Sequence, residues 1–304
     1  MEEGLMAAVV AALTSVITVF LSNKYKPKVE KEIQIQKVEI ENSYEQFREI
    51  KKSLSQHKVH LINAAVSLKK RLKNLAKNYS KDLHSVNQDY LNINNYYFQS
   101  TVYRVLRLYA WIKVLEDRLI YLDTTLAVAT PEDLYFIKYI KAIWSTLQET
   151  SLVSELDSEA KIEDDLIFRD TLDEMTMWMI EDGRVLSFSE FKSRLGENID
   201  KVRRLCEFVE GVSPEEGRLR WDRLYCQRLL LTSFINSYGY DFQHDNRKAI
   251  IGYLDQMKKM EALTMLPNFI KYLDSYKLSA ESNIKVLLKE MKGYVPKGSN
   301  EEME

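Results

Sequence analysis

Residues 33–75 read IQIQKVEIENSYEQFREIKKSLSQHKVHLINAAVSLKKRLKNL, and this stretch decides the fold class. Apolar residues recur in it every seven positions: Ile33, Ile40, Phe47, Leu54, Leu61, Leu68 and Leu75. A seven-residue repeat keeps one stripe of a helix facing a partner helix, as in coiled coils and antiparallel bundles. Lys37, Lys51 and Lys58 interrupt the second seam position. The pattern predicts one long helix that begins after Pro27.

The repeat leaves the partner of this helix open. From about Gln56 onward, the broken second seam favours a helix packed inside an intramolecular bundle. Between Val29 and Leu54 few other apolar neighbours are present, so an intermolecular stalk and a bundle helix are equally compatible with the sequence.

Breaker residues are scarce throughout the chain. It has 304 residues with only 9 Gly and 5 Pro, and neither type occurs between Pro27 and Pro131. Tight hairpins need residues with positive φ at their corners, so a β-rich fold is excluded there. Hydrophobic residues make up 45% and charged residues 29%, which excludes wholesale disorder. We expect an all-α protein with an N-terminal transmembrane helix, the long heptad-patterned helix and one or more helical bundles.

Local signals place the remaining helices. Thr130-Pro131 is typical of an N-cap followed by a first-turn proline, and the pairs Ser187/Glu190 and Ser213/Glu216 match the capping box. Amphipathic spacing and these caps predict helices at residues 98–122, 131–152, 188–210, 214–238, 245–260, 262–274 and 279–292.

The N-terminal run is the most apolar part of the chain. Leu5 to Leu21 are seventeen residues without a charge, which indicates a single-pass anchor. Two acidic residues precede the run and the cluster Lys24, Lys26, Lys28 and Lys31 follows it. Basic residues stay on the cytoplasmic side, so we expect a bacterial inner-membrane protein with its N-terminus outside and its C-terminal domain cytoplasmic. The small residues Ala7, Ala8, Ala11 and Ala12 are candidates for packing between anchors.

Composition suggests four segments. They are an anchor and juxtamembrane segment at 1–26, the long helix and a first bundle at 27–152, a second bundle at 153–294 and a disordered tail at 295–304. The boundary between the bundles is placed where acids and serines cluster, near Ser151 to Lys161.

Charge is unevenly divided along the chain. Residues 23–110 carry seventeen Lys/Arg and eight Asp/Glu, whereas residues 153–220 carry ten and eighteen. A basic region next to an anionic leaflet makes the lipid bilayer an expected partner. The cluster Lys69, Lys70, Arg71, Lys73 and Lys77 raises nucleic acid as a rival, but no nucleic-acid-reading motif accompanies it, so a membrane-facing or solvated surface is favoured.

Few residues in the sequence are arranged in a way that suggests metal binding or catalysis. His57 and His60 share a helix face, but lysines rather than carboxylates surround them. Asp170 with Asp173 or Glu174 has the spacing to hold a divalent cation, although acids at a helix start are explained by its dipole. No phosphate-binding glycine loop, nucleophile elbow or Cys/His pair is present, so no catalytic residue and no cofactor is expected. Cys206 and Cys226 are expected to be free structural thiols.

Three short blocks carry a resemblance. They are residues 60–74, residues 100–111 and the Arg220-Trp-Asp-Arg-Leu224 run, and together they resemble an arrangement found in uncharacterised bacterial membrane-anchored helical proteins. The resemblance implies placement on the cytoplasmic side of a bacterial membrane and carries no known activity.

Three hypotheses for function follow. The first is a membrane-tethered helical interaction module, a scaffold, adaptor or sensor that forms homo-oligomers or recruits protein partners. The second is a membrane-disrupting or defence effector that acts through clustered transmembrane helices. The third is a helical metal-dependent hydrolase or nuclease with a metal near Asp170.

Overall fold

The structure, a computed structural model, describes residues 2–92, 94–119, 130–156 and 162–295, with only some of the side chains before Glu30. It is almost entirely helical, which confirms the all-α prediction. The elements are α1 (Glu2–Asn78), α2 (Tyr96–Leu119), α3 (Pro131–Ser145), α4 (Arg169–Trp178), β1 (Ile180–Glu181), β2 (Arg184–Val185), α5 (Phe188–Val209), α6 (Arg220–Tyr238), α7 (Arg247–Lys259), α8 (Leu266–Ser275) and α9 (Ser282–Lys292). Short 3-10 turns occupy Tyr79–Lys81, Thr150–Leu152, Ile162–Asp165 and Asp241–Gln243.

The long helix α1 organises the fold. It has 77 residues, so it is about 115 Å long at 1.5 Å per residue. From Ile50 onward its apolar stripe is buried against α2 and α6. That part of α1 is therefore a bundle helix, as the pattern after Gln56 indicates.

Helix α6 lies at the centre of the bundle and is buried along almost its whole length. Two of its buried polar residues, Arg223 and Gln227, donate hydrogen bonds to other parts of the bundle. Arg223 donates to the carbonyl oxygens of Thr146 (2.6 Å) and Glu149 (3.1 Å). Thr146 is the residue that follows α3, and Glu149 is the residue before the 3-10 turn Thr150–Leu152. Gln227 donates to the hydroxyl of Tyr109 on α2 at 2.8 Å, and this hydroxyl donates to the carbonyl of Ile143. These bonds tie α2, α3 and α6 together.

Several predicted helix starts are confirmed. Ser187 and Glu190 form the full capping box of α5, and Thr130 with Pro131 begins α3. The predicted start at Ser213 is wrong, because α6 begins only at Arg220. Ser213 instead stabilises a turn that ends at Gly217, whose φ of +65° is incompatible with a continuing helix.

A small antiparallel hairpin was not predicted. Ile180 pairs with Val185 and Glu181 with Arg184, and Asp182 and Gly183 form the two-residue turn with φ values of +50° and +74°. Asp-Gly is the preferred dipeptide of such a turn, so the signal is present in the sequence. The two strands are too short to show an alternating pattern.

The predicted transmembrane anchor at residues 1–26 is not supported. Within the described residues, no helix combines the length and the apolarity that crossing a membrane requires. The uncharged run of seventeen residues spans about 25 Å as a helix, less than the roughly 30 Å of a hydrocarbon core. Its backbone belongs to α1, which continues without a break into the bundle. The predicted location, a single-pass protein of the bacterial inner membrane with a cytoplasmic C-terminal domain, is therefore wrong.

The division into two bundles stays a prediction. Buried apolar residues form one cluster that extends from Ile50 to Val295, and α6 of the second segment packs on α1 and α3 of the first. Most of the acidic stretch proposed as the boundary, residues 157–161, lies outside the described residues, as does the tail beyond Val295.

Candidate interaction surface

The first candidate surface is the projecting segment, defined here as residues 30–45 of α1. Every side chain in it is exposed, and α1 enters the bundle only at Phe47, which is half-buried, and Ile50, which is fully buried. The projecting segment is about 24 Å long. Residues 29–54, for which sequence allowed a stalk or a bundle helix, thus contain a free part and a bundled part.

The projecting segment carries two sets of exposed apolar residues. Ile33, Ile40 and Tyr44 continue the stripe that Leu54 and Leu61 bury inside the bundle. Because α-helices have 3.6 residues per turn, the first three and Phe47 lie within an arc of roughly 60°. The other set, Ile35 and Val38, lies on the opposite side of the helix. Only the first set follows the heptad of the bundle.

Charged residues flank the exposed stripe. Among the described residues, none of the charged side chains from Glu30 to Glu45 forms an ion pair. Glu32 and Glu39 lie on one side of the stripe and Lys37 on the other. These charges are free to pair with another molecule.

The residues that sequence assigned to a membrane are described only in part. Lys26, Lys31 and Ala11 are exposed. The side chains of Lys24, Lys28, Ala7, Ala8 and Ala12 lie outside the described residues. A membrane-facing role for the lysines and a packing role for the alanines both depended on the anchor.

The candidate metal ligands have other partners. The ring of His60 stacks on Trp111 with centroids 4.3 Å apart, and His57 Nδ1 lies 2.7 Å from the carbonyl oxygen of Ser53. Asp173 lies 3.4 Å from Lys113 Nζ. The part of the chain that the structure describes contains no group of three His, Cys, Asp or Glu residues arranged to hold a metal.

Both cysteines are buried and free. Burial raises the pKa of Cys206 to about 12 and that of Cys226 well above its ordinary value. The thiolate is the reactive form, so neither thiol is suited to nucleophilic chemistry near neutral pH. Nothing in the described residues points to catalysis.

The fold and this surface define an all-α bundle from which one helix projects with an unsatisfied heptad stripe. Comparison with known proteins gives no match: no family model, no curated protein and no solved structure is similar to this chain. The resemblance to membrane-anchored helical proteins stays a prediction.

Proposed function

We propose that the protein is a self-associating helical interaction module, a scaffold or adaptor whose copies pair through the projecting segment. The observation that carries this proposal is the continuity of the stripe. A repeat that serves the bundle from Leu54 onward continues past the bundle as Ile33 and Ile40, where no part of the described chain covers it. A heptad stripe is stabilised by burial against another helix, so a second helix from outside the chain is expected.

Charge favours an identical helix in parallel orientation. With Ile33, Ile40 and Phe47 at position a, Glu32 falls at position g and Lys37 at the following position e. In a parallel pair, position g of one helix faces position e of the next heptad of the other, so Glu32 faces Lys37 of a second copy. An antiparallel pair would instead place g positions near g positions, and these are both acidic.

The seam supports only modest affinity. With Ile33 at position a, Lys37 belongs to position e and not to the seam, and the second seam position d is occupied by Gln36 and Ser43. The projecting segment spans little more than two heptads. Polar seam residues specify register at a cost in stability. We therefore expect a reversible dimer whose population depends on protein concentration. Such a module would dimerise when a partner brings several copies close together.

Sedimentation velocity of the full chain tests this proposal. The wild-type chain of 35.7 kDa is expected to approach the mass of a dimer as its concentration rises. The double variant Ile33→Glu/Ile40→Glu should stay monomeric, because charges at position a cannot be buried against each other. The matched control Ile35→Glu/Val38→Glu places the same charges on the opposite side and should behave as wild type.

Two results would count against the proposal. One is a wild-type chain that remains monomeric at the highest concentration reached. The other is equal loss of association in both double variants, which would show that exposed apolar area in general, and not the stripe, drives it.

A further inference from the structure

A cleft lies on the bundle, away from the projecting segment. It has a volume of about 200 Å³ and is formed by α1, by residues 242–245 and by α7. Its lining includes Lys69, Lys70 and Lys73 from α1, Phe242 and His244 from the turn, and Tyr253 from α7. Asp245 also lines the cleft and pairs with Lys69, so the positive charge open to a ligand is that of Lys70 and Lys73. Two free lysines beside an aromatic residue in one cleft indicate an anionic ligand.

Hydrogen bonds to Asp245 connect two of the side chains that line the cleft. Lys69 Nζ lies 3.0 Å from a carboxylate oxygen of Asp245, and the hydroxyl of Tyr253 donates to the same oxygen at 3.0 Å. Behind Tyr253, the buried guanidinium of Arg228 stacks on its ring at 3.8 Å. No carboxylate of the described residues pairs with Arg228. Lys69 and Tyr253 thus share one carboxylate oxygen, and Arg228 adds a buried positive charge against the ring of Tyr253.

The rim adds free positive charge. Lys70 and Lys73 are exposed, and Lys77 continues their row along α1 beyond the cleft. None of the three forms an ion pair with a described residue. Helix geometry separates them by rises of about 4.5 and 6 Å. A row of cations that extends past the cleft suits a chain of phosphates better than a single one.

An exposed aromatic pair stands beside this row. Phe242 is 85% exposed, the most exposed large apolar side chain among the described residues. Its ring is parallel to that of Tyr240, with an interplanar angle of 4° and centroids 5.6 Å apart. The ring face of Phe242 turned away from Tyr240 is available to a planar group. Bases of single strands stack on such aromatic rings, while lysines track the backbone.

We propose that this cleft and the row Lys70, Lys73 and Lys77 bind single-stranded nucleic acid, with a base stacked on Phe242. A bilayer surface is a poorer occupant because the site is concave. An acidic peptide would use the lysines but would leave the stacked aromatic pair without a planar partner. Paired bases of a duplex are not open to stacking from the side.

The fold supplies what the lysine cluster lacks in the sequence. For Lys69 to Lys77 the sequence favoured a membrane-facing or solvated surface, because no nucleic-acid-reading motif accompanies these lysines. Phe242 is more than 160 residues away along the chain, and α7 with the turn before it brings this ring to the lysines. The bond from Gln256 to the carbonyl oxygen of Ala76 holds α7 against α1.

Fluorescence anisotropy of the full chain with a fluorescein-labelled oligouridylate tests the proposal. Phe242→Ala should weaken binding roughly tenfold, as loss of one stacked base does. Lys70→Gln/Lys73→Gln should weaken binding and reduce the slope of log affinity against log salt by about 1.4, which corresponds to two phosphates on a single strand. The control Lys285→Gln removes an exposed lysine on α9 and should change neither quantity.

The substituted residues are exposed, so thermal unfolding of all variants should match wild type. Oligouridylate binding that responds to Phe242→Ala and to salt as stated supports the site. The proposal is overturned if polyglutamate competes as well as the oligonucleotide at equal charge, if uridine monophosphate competes as well at equal nucleotide concentration, or if Phe242→Ala binds as wild type.

Discussion

Ile40 and Leu54 lie two heptads apart on the same stripe of α1, yet Ile40 is 67% exposed and Leu54 only 5%. The residue type and the repeat are continuous between them. What changes is that α1 packs against other helices of the bundle from Ile50 onward, whereas no part of the described chain covers Ile40. The stripe therefore leaves the bundle with its apolar face uncovered.

The two halves of the stripe should respond differently to truncation. Leu61→Ala removes a fully buried side chain and is expected to lower the free energy of unfolding by about 2–5 kcal/mol. Ile40→Ala, measured at a dilute concentration where the chain is monomeric, should change it by less than about 0.5 kcal/mol. Urea unfolding followed by circular dichroism measures both. A loss above about 1 kcal/mol for dilute Ile40→Ala would show that Ile40 packs within its own chain.

The hydroxyl of Tyr109 should stabilise the centre of the bundle. It accepts from Gln227 at 2.8 Å and is completely buried. Tyr109→Phe leaves the Gln227 amide without its acceptor, so we expect a loss of about 1–3 kcal/mol in unfolding free energy. Tyr44→Phe, at an exposed position, is the control and should have no effect.

A second substitution separates this bond from packing. Adding Gln227→Met to Tyr109→Phe removes the stranded amide and should recover part of the loss, because replacing both partners by apolar groups is close to neutral. This account would be contradicted if the double variant lost a further 1–3 kcal/mol or so, about the loss expected for Tyr109→Phe alone, in unfolding free energy.

His84 should make the protein sensitive to acid. It is buried, with Nε2 3.1 Å from Thr101 Oγ1, and burial first and then Arg71 lower its pKa from 6.5 to about 3. Asp82 acts in the opposite direction. Between pH 6.5 and about 3 the unfolded chain binds a proton that the folded chain does not, so stability from the neutral ring is present above pH 6.5 and lost as the pH falls.

The variant His84→Gln isolates this contribution from the other titrating groups. Wild type should lose unfolding free energy more steeply than His84→Gln as the pH falls from 6.5 towards 4. The two slopes of unfolding free energy against pH should differ by an amount that corresponds to at most one bound proton. Denaturant midpoints at a series of pH values measure the difference. Parallel curves for the two proteins would show that His84 titrates normally in the folded state.

Local chemistry made much of the helical fold predictable. The Ser187/Glu190 box and the Thr130-Pro131 start carry their own hydrogen-bond partners or fixed φ, so short sequence windows are sufficient. At Ser213 the same window failed because Glu216 pairs with Arg220 and Gly217 adopts a positive φ. The capping motif is present at Ser213, but with these contacts the chain forms a turn there and not the start of a helix.

The candidate sites depend on contacts between residues that are far apart in the chain, and a short stretch of sequence does not contain such contacts. The heptad of α1 is the same at Ile40 and Leu54, and only the positions of α2 and α6 decide which half is covered. Phe242 meets Lys70 and Lys73 because α6 packs on α1 and because Lys69 bonds to Gln243 and Asp245 in the turn that follows α6. The anchor prediction failed for a different reason. The run from Leu5 to Leu21 has no charge, but its seventeen residues are too few to cross the roughly 30 Å of a hydrocarbon core.

Disulfide trapping at position 33 tests self-association through the stripe most directly. In a parallel, in-register pair, two copies of residue 33 at position a lie within the roughly 5.5–6 Å Cα separation that a disulfide needs. The native Cys206 and Cys226 are buried and do not compete. Mild oxidation of the full chain carrying Ile33→Cys should give a covalent dimer, while Val38→Cys on the opposite side should remain monomeric. A monomer from Ile33→Cys, or equal dimer from both variants, would contradict the account.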